Sequence, residues 1–437
     1  MKKYIIVALL VSSLTLFMYC TKNDQVVTAP VTSTNELLSY KTTTAPAIDG
    51  VADAVWGNAV KLNITPTVPY PGNNLFTGYN GEQYPATLQS MYDDQYVYFL
   101  AQWADATNSV NVSTWYFDPL TQRWAQEPTS RQFDVNGNMT RDGHGEDKLA
   151  MLWNIDFSTP NFVTQTCYAS CHVFTPYTDF SVTPAVEKSN AGNGNHYTNG
   201  ASEKIDMWWA HLSRDVIFNQ MDDDYQDWAG GPQVTNLVGG SGNGRHVDGI
   251  TVSGSSAKWP YSPVYTVTDP QGATNNRQTL KLDGTGDNVT VPAWIIPGAS
   301  NYYYILATDT LAGGKAVKIT GVSSTGVLSW DGGSLDPNAD ANYQRSGDAV
   351  YGGDGVKCFP SYIASPLIGS RADITCSAVY TGTGWIVEYK RKLKTGDVLK
   401  QDVDFSSLQD QQFGVAIWNQ SNNQHGIAPN LVLKFQK

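Results

Sequence analysis

Apolar residues recur along this chain mostly at every second position, in short runs closed by Gly, Asn or Asp. Residues 86–91 and 96–103 are the clearest of these runs, and Asp93-Asp94-Gln95 between them predicts a hairpin with one buried face. Residues 149–155 form another strand. Runs 384–393 and 413–418 predict a strand pair near the C-terminus, followed by 431–435, while 289–296 reads as a strand in a stretch otherwise gapped by Gly and Asp. Only residues 205–219 carry apolar positions spaced for a short helix. Short strands joined by long polar loops predict an all-β fold, a β-sandwich with long loop insertions and a few short helices.

The first residues differ in character. Met1-Lys2-Lys3 is basic, and residues 4–18 are an apolar run of signal-peptide length, too short for a comfortable membrane span. Cys20 follows at once, so residues 1–20 read as a lipoprotein-like signal with Cys20 as the lipidated residue. The bulky Leu16-Phe17-Met18-Tyr19 before it leaves an ordinary cleaved signal or an uncleaved anchor open. Residues 21–40 are expected to be a polar tether, and 41–437 one domain with loop-rich insertions at about 174–254 and 264–355. The expected location is outside the cytoplasm, periplasmic or at the cell surface, on a lipid anchor in a bacterial membrane.

A net charge of −12 argues against nucleic acid as a partner and suits cationic ones. No G-x-S-x-G, H-E-x-x-H or Walker loop is present, so hydrolase, zincin and nucleotide-binding readings lack support. Two acidic clusters, Asp142-Gly-His-Gly-Glu146-Asp147 and Asp222-Asp223-Asp224, hold the oxygen donors calcium prefers without the spacing of a calcium loop. Calcium therefore stays open beside the plainer reading of solvated turns.

The densest chemistry is Cys167-Tyr-Ala-Ser-Cys171-His172. Two thiols and an adjoining imidazole are what covalent attachment of haem c uses: two thioethers to the porphyrin and one axial ligand to the iron, here with one extra spacer residue. Composition alone would give this pattern in roughly one such chain in a thousand. A disulfide between Cys167 and Cys171, or a metal site, remains the alternative. Cys358 and Cys376 are a candidate disulfide in an oxidising compartment.

Several stretches, in order, resemble a known family. They are Ile48-Asp-Gly-Val-Ala-Asp-Ala-Val-Trp56, Trp103-Ala-Asp105, Glu146-Asp-Lys-Leu-Ala-Met-Leu-Trp153, Ile205-Asp-Met-Trp-Trp209, Asp222-Asp-Asp-Tyr225, Ser370-Arg-Ala-Asp-Ile-Thr375 and Gly384-Trp-Ile-Val-Glu-Tyr-Lys-Arg391. Together they resemble the haem-binding domain shared by cytochrome c-552-like proteins and the haem subunit of ethylbenzene dehydrogenase and related DMSO-reductase-type enzymes. The resemblance implies a sandwich with an axially ligated haem between it and its loops. The implied activity is electron transfer to redox partner proteins, other cytochromes or a molybdenum oxidoreductase, with no substrate chemistry on this chain. In the enzyme subunits the haem is non-covalent, held by methionine and lysine; the cysteines and His172 depart from that pattern. Residues 48–105 also resemble the sandwich of family-nine carbohydrate modules and DOMON-like domains, which leaves a glycan-binding module as an alternative.

His425 follows a terminal strand, where the resemblance places a ligand-bearing loop. Ligation by His172 and His425 is therefore expected, ahead of Met151, Met207 and then His211; His144, His196 and His246 are solvated-loop candidates. Trp153, Trp208, Trp209 and Trp418 are expected near the haem, and Arg245 and Arg391 beside its propionates.

Overall fold

Strands β1 (Glu36–Lys41), β2 (Leu62–Ile64), β3 (Ala86–Tyr92) and β4 (Tyr96–Ala104) open the domain. The expected hairpin forms as β3–β4, and Asp93 makes its turn. Its Oδ1 accepts from the N–H groups of Gln95 and Tyr96, each at 2.7 Å, and its Oδ2 from the Tyr98 hydroxyl at 2.6 Å. The computed structural model describes residues 35–70, 76–160, 162–165, 177–179, 186–188, 198, 200, 202–227, 245–248, 272–299, 302–344 and 357–436.

Eight further strands complete the main sheet: β5 (Glu146–Asn154), β6 (Ile205–His211), β7 (Gln220–Gln226), β8 (Arg245–Val247), β9 (Ile374–Tyr380), β10 (Gly384–Lys392), β11 (Gln411–Ser421) and β12 (Gly426–Phe435). One layer runs β12-β11-β5-β6-β7-β8 and the other β9-β10-β4-β3-β2. The edges are joined. β1 pairs in parallel with β12 through Glu36–Ser39 and with β3 through Ser39–Lys41, while β7 meets β9 at Met221 and Ile374. Ten strands thus close into a flattened barrel, which leaves few open strand edges.

Alternate residues of each strand fill the interior, as a period of two requires. Leu149, Met151 and Trp153 of β5 face Trp208 of β6, Tyr389 of β10 and Phe413 of β11. Trp153 stacks on Phe413 at 4.8 Å and leans on Trp208 at 5.0 Å, and Tyr389 stacks on Phe99 at 5.1 Å. A second core lies in the stretch expected to be an insertion at 264–355. Leu282, Val291, Ile295, Val322 and Leu328 pack with Trp115, Phe117 and Trp124 of an earlier hairpin, so this stretch is folded against the rest rather than looped out.

Several expectations are corrected. Residues 205–219 form β6 and a 3-10 turn, Val216–Phe218, rather than a helix. The apolar positions that looked helical belong to a strand buried on both faces, where alternation is masked. The insertion drawn at 174–254 therefore contains β6, β7 and β8 of the barrel itself. The tether assigned to 21–40 overruns β1, which needs Glu36–Lys41 to close the ring. Runs 384–393 and 413–418 do not pair; β10 lies between β4 and β9, and β11 between β12 and β5. Cys376 is a free thiol in β9, buried in the barrel core, whereas Cys358 precedes Phe359 of the second core, so the disulfide expected between them is absent. Burial raises the Cys376 thiol well above its ordinary range, which makes it inert.

Trp153 is fully buried and touches rings on both layers. Trp153→Ala is expected to cost about 3–5 kcal/mol of unfolding free energy, read by urea titration with unchanged slope. A loss under 1 kcal/mol would mean the two layers do not share this core.

Candidate functional site

Residues of β5 that point away from the core include Glu146 and Lys148, and the strand register brings partners to them. Lys148 stands opposite His211 of β6 on one side and Trp418 of β11 on the other. One step along, Ala150 stands between Trp209 and Ala416, two small side chains that leave width for the Trp209 indole. Four rings follow in a row across this outer face. His425 stacks on Trp418 at 4.3 Å, Trp418 lies 5.2 Å from Trp209, and Trp209 stacks on His211 at 5.5 Å and 7°. Two cations cover them: the Lys148 ammonium is 5.1 Å from the Trp418 ring, and the Arg245 guanidinium 4.8 Å from that of Trp209.

The geometry at His425 comes from a bulge. Between Trp418 and Ser421 the β11–β5 register shifts, and Gln420 takes a left-handed φ of 48°. Asp147 holds the bulge: its Oδ1 accepts from Gln420 N–H at 3.0 Å, and its Oδ2 from Ser109 N–H at 2.9 Å and the Trp385 indole at 3.0 Å. Gly145 is required beside it, since a Cβ there would come within 2.3 Å of the Ser421 backbone. Past the bulge, the turn brings His425 back over Trp418, with its Nδ1–H donating to the Asn423 carbonyl at 2.7 Å. That bond puts the proton on Nδ1 and the lone pair on Nε2, the tautomer of an Nε2 metal ligand.

Electrostatics sort the polar groups. Burial pushes the Glu146 carboxyl upward, but the Arg214 guanidinium, with His211 and Lys148, outweighs it and holds the group at about 2. Its Oε2 accepts from Arg214 Nη2 at 2.6 Å and Nε at 3.1 Å. Burial lowers Lys148 to about 7 despite Glu146, so its amine, which donates to the Asn422 carbonyl at 3.0 Å, is partly neutral near neutrality. Burial, then Arg214, lowers His211 well below its ordinary value; its Nδ1 contacts Asp215 Oδ2. The indole N–H groups of Trp209 and Trp418 are buried and meet no acceptor among the described residues. This side of the sheet thus gathers four rings in a row, two basic side chains and two indole donors, with Trp418, Lys148 and Arg245 themselves buried. Those features fit a planar macrocycle that carries carboxylates.

Of the expected site residues, Cys20, Cys167, Cys171, His172 and His196 lie outside the described residues. His425, His211, Trp209, Trp418, Arg245 and Met207 share the outer face, where the Met207 sulfur accepts from Gln226 Nε2 at 3.4 Å. Others do not. Met151 is in the barrel core, where its sulfur accepts from the Tyr389 hydroxyl at 2.8 Å, and Trp153 and Trp208 fill that same core. Arg391 is also internal, paired with Asp206. His144 is held near Glu127, and His246 is buried against Asp227. The acidic runs are split by the sheet: Glu146 answers Arg214, Asp147 the bulge, Asp142 Arg131 and Asp222 Arg371, while Asp223 turns into the barrel. Lys148 and the Asp147 clamp went unread. Their signal was three charged residues opening an otherwise apolar strand.

A family model described as ethylbenzene dehydrogenase matches residues 53–428. No curated protein matches. Among solved structures, a family 9 carbohydrate-binding module from Caldicellulosiruptor kristjanssonii in complex with glucose is similar at 15% identity over 39% of this chain and 76% of that one, with a TM-score of 0.15. The module in complex with cellotriose gives 12% identity, 44% and 77% coverage and a TM-score of 0.14. Likeness of that degree carries no functional weight.

A buried amine lowered to about 7 binds its proton less tightly in the folded than in the unfolded chain, so its contribution to stability improves as pH rises from about 7 toward the ordinary lysine value. Lys148→Met is expected to raise the thermal midpoint at pH 6, and the gain to shrink toward pH 10. A gain that does not change with pH would mean the amine is solvated.

Proposed function

The chain belongs to the ethylbenzene dehydrogenase family, and on that premise we propose that it is an exported electron-transfer protein carrying one covalently attached haem c on the outer face of the β11-β5-β6 layer. The observation that carries this reading is His425, held flat on Trp418 with its Nδ1 proton given to a backbone carbonyl, the tautomer that an Nε2 iron ligand takes. In the proposal Cys167 and Cys171 form the thioethers, and His172 and His425 are the axial ligands. Bound there, the haem supplies a one-electron Fe(III)/Fe(II) couple whose potential follows its ligands and burial.

The chain's own residues have separate tasks. Trp418 orients the His425 ring, and the Asn423 carbonyl fixes its tautomer. Trp209 and Trp418 would hold the macrocycle by their ring faces, and their indole N–H groups, with Lys148 and Arg245, would supply donors and positive charge for its carboxylates. Reach bounds the arrangement. The chain leaves β5 at Asn154, six residues or about 20 Å along the strand from Lys148. Gln165 to His172 is seven residues, with an extended reach of about 25 Å. Met207, opposite Leu152 and so closer to Asn154 along the face than His211 opposite Lys148, is the ligand that replaces His425 if the reach falls short.

The family match over most of the chain favours a second reading, in which this protein is the haem subunit of a molybdenum oxidoreductase complex. The two share the haem site and differ in partners. Export follows from the signal-like residues 1–20, with a lipid anchor on Cys20 and a net-acidic surface suited to cationic redox partners.

The purified protein is expected to show a Soret band and sharp reduced α and β bands, with haem that stays on the chain under denaturing conditions. The double change Cys167→Ala and Cys171→Ala is expected to release it; haem retained by that variant after denaturation defeats covalent attachment at these cysteines. His425→Ala is expected to turn the low-spin spectrum high-spin. An unchanged spectrum there, with ligand bands lost in Met207→Ala, transfers the axial role to Met207. Co-purification with iron–sulfur and molybdopterin subunits decides for the complex.

A further inference from the structure

Four carboxylates meet inside the barrel, at the end where β6 begins and β10 finishes. They come from separate elements: Asp206 of β6, Asp223 of β7, Asp248 just past β8, and Asp402 in the loop after β10. One oxygen each of Asp206, Asp223 and Asp402 lie within 4.8 Å of one another. The Asp248 N–H donates to the Asp223 carbonyl at 3.2 Å, which places its side chain against this group.

Arg391 answers only part of the charge. Its Nη1 donates to Asp206 Oδ2 at 2.7 Å and stands 3.5 Å from Asp402 and 3.7 Å from Asp223, and its Nη2 donates to the Val403 carbonyl. Six carboxylate oxygens remain that are buried and meet no donor group among the described residues: Asp206 Oδ1, both of Asp223, both of Asp248, and Asp402 Oδ1, with the Asp248 and Asp402 side chains within hydrogen-bond reach of each other. Asp223 is wholly inaccessible to solvent. Carboxylates buried without partners are costly, and burial together with the neighbouring acids pushes Asp223 and Asp248 far above the usual carboxylate range.

We propose that this nest binds one calcium ion. Every unanswered donor is oxygen, which selects a hard cation over zinc. Calcium takes six to eight oxygens in loose geometry, whereas magnesium demands a near-ideal octahedron, which carboxylates brought together from four separate elements do not impose. Spacing agrees: oxygens on opposite sides of calcium stand about 4.6–5.2 Å apart, and closer when adjacent. The cation brings a surplus of three negative charges, left after Arg391, down to one. Since the nest is on the inner face, its occupancy is independent of the haem reading.

The test uses the full-length protein, stripped with EGTA and titrated with calcium chloride. One equivalent of calcium is expected by elemental analysis, with a thermal midpoint raised by about 3 °C at a hundredfold excess over Kd and a much smaller rise with magnesium chloride. Asp248→Asn is expected to weaken calcium binding at least tenfold, while Asp134→Asn, on an exposed turn, leaves it unchanged. A parent protein that holds no calcium and melts alike with and without it overturns the proposal and assigns the neutralisation to protons. Binding that Asp248→Asn leaves intact overturns it equally, by moving the ion elsewhere. If Asp248→Asn does not fold, the metal content and calcium response of the parent still decide.

Discussion

The carboxylate of Asp147 is the contact on which the outer face depends. It takes one N–H from the bulge in β11, one from Ser109 and the indole N–H of Trp385 on the opposite layer, so a single buried group ties both layers together at this end of the barrel. Without the bulge, β11 would continue in register past Trp418, and a one-residue slip would turn the following side chains to the wrong face. His425 would then no longer come back over the Trp418 ring. Burial and Asp105 nearby raise the Asp147 group to about 8, so the clamp holds its hydrogen bonds partly as a neutral acid. The site's shape is set at the backbone, and the rings follow it.

The two ends of the barrel handle buried charge differently. At the Asp147 end, each acid faces a donor: Glu146 meets Arg214 and Ser213, and Asp147 meets three N–H groups. Such groups stabilise a unique arrangement because each is satisfied. The other end has Arg391 against four acids and six oxygens that meet no donor group among the described residues. Native interiors rarely tolerate that state, and a resident cation resolves it where hydrogen bonds do not.

Strands rich in β-branched and aromatic residues and closed by turn residues were legible in the sequence, which is why β3, β4, β10 and β11 fall where expected, although β3 and β4 are buried on both faces rather than one. β6 was not, because Ile205 to His211 is covered on both sides and carries Asp206 inward, so its period disappears. Pairing was less visible than the strands themselves. Nothing local distinguishes β10 beside β4 from β10 beside β11, since the difference lies in a ring closed by residues nearly 400 positions apart, Glu36 and Val432. The site was half legible. Trp209, Trp418 and His425 stood out by residue type and position, but which tryptophans face out depends on strand parity: Trp208 and Trp209 are neighbours on opposite faces. Lys148 escaped notice because a lone lysine in a charged run looks solvated until the register places Trp418 beside it.

That parity makes β6 the common wall of two sites. Its outward residues, Met207, Trp209 and His211, belong to the aromatic face, and its inward residues, Asp206 and Trp208, belong to the acidic nest, with the Arg391 guanidinium 4.6 Å over the Trp208 ring. Because the pleat is rigid, a shift of Asp206 toward or away from its neighbours moves Met207 and Trp209 with it. The β6–β7 ladder runs unbroken past the nest, from Ile205 opposite Gln226 to Trp209 opposite Asp222, so the acids are held together by the sheet itself. One strand thus carries both groups, and a substitution at Asp206 is felt on the outer face through the backbone it shares with Met207 and Trp209. The asymmetry between the two ends is then consistent with their tasks: one end clamps the backbone by hydrogen bonds, and the other is left for an ion to lock.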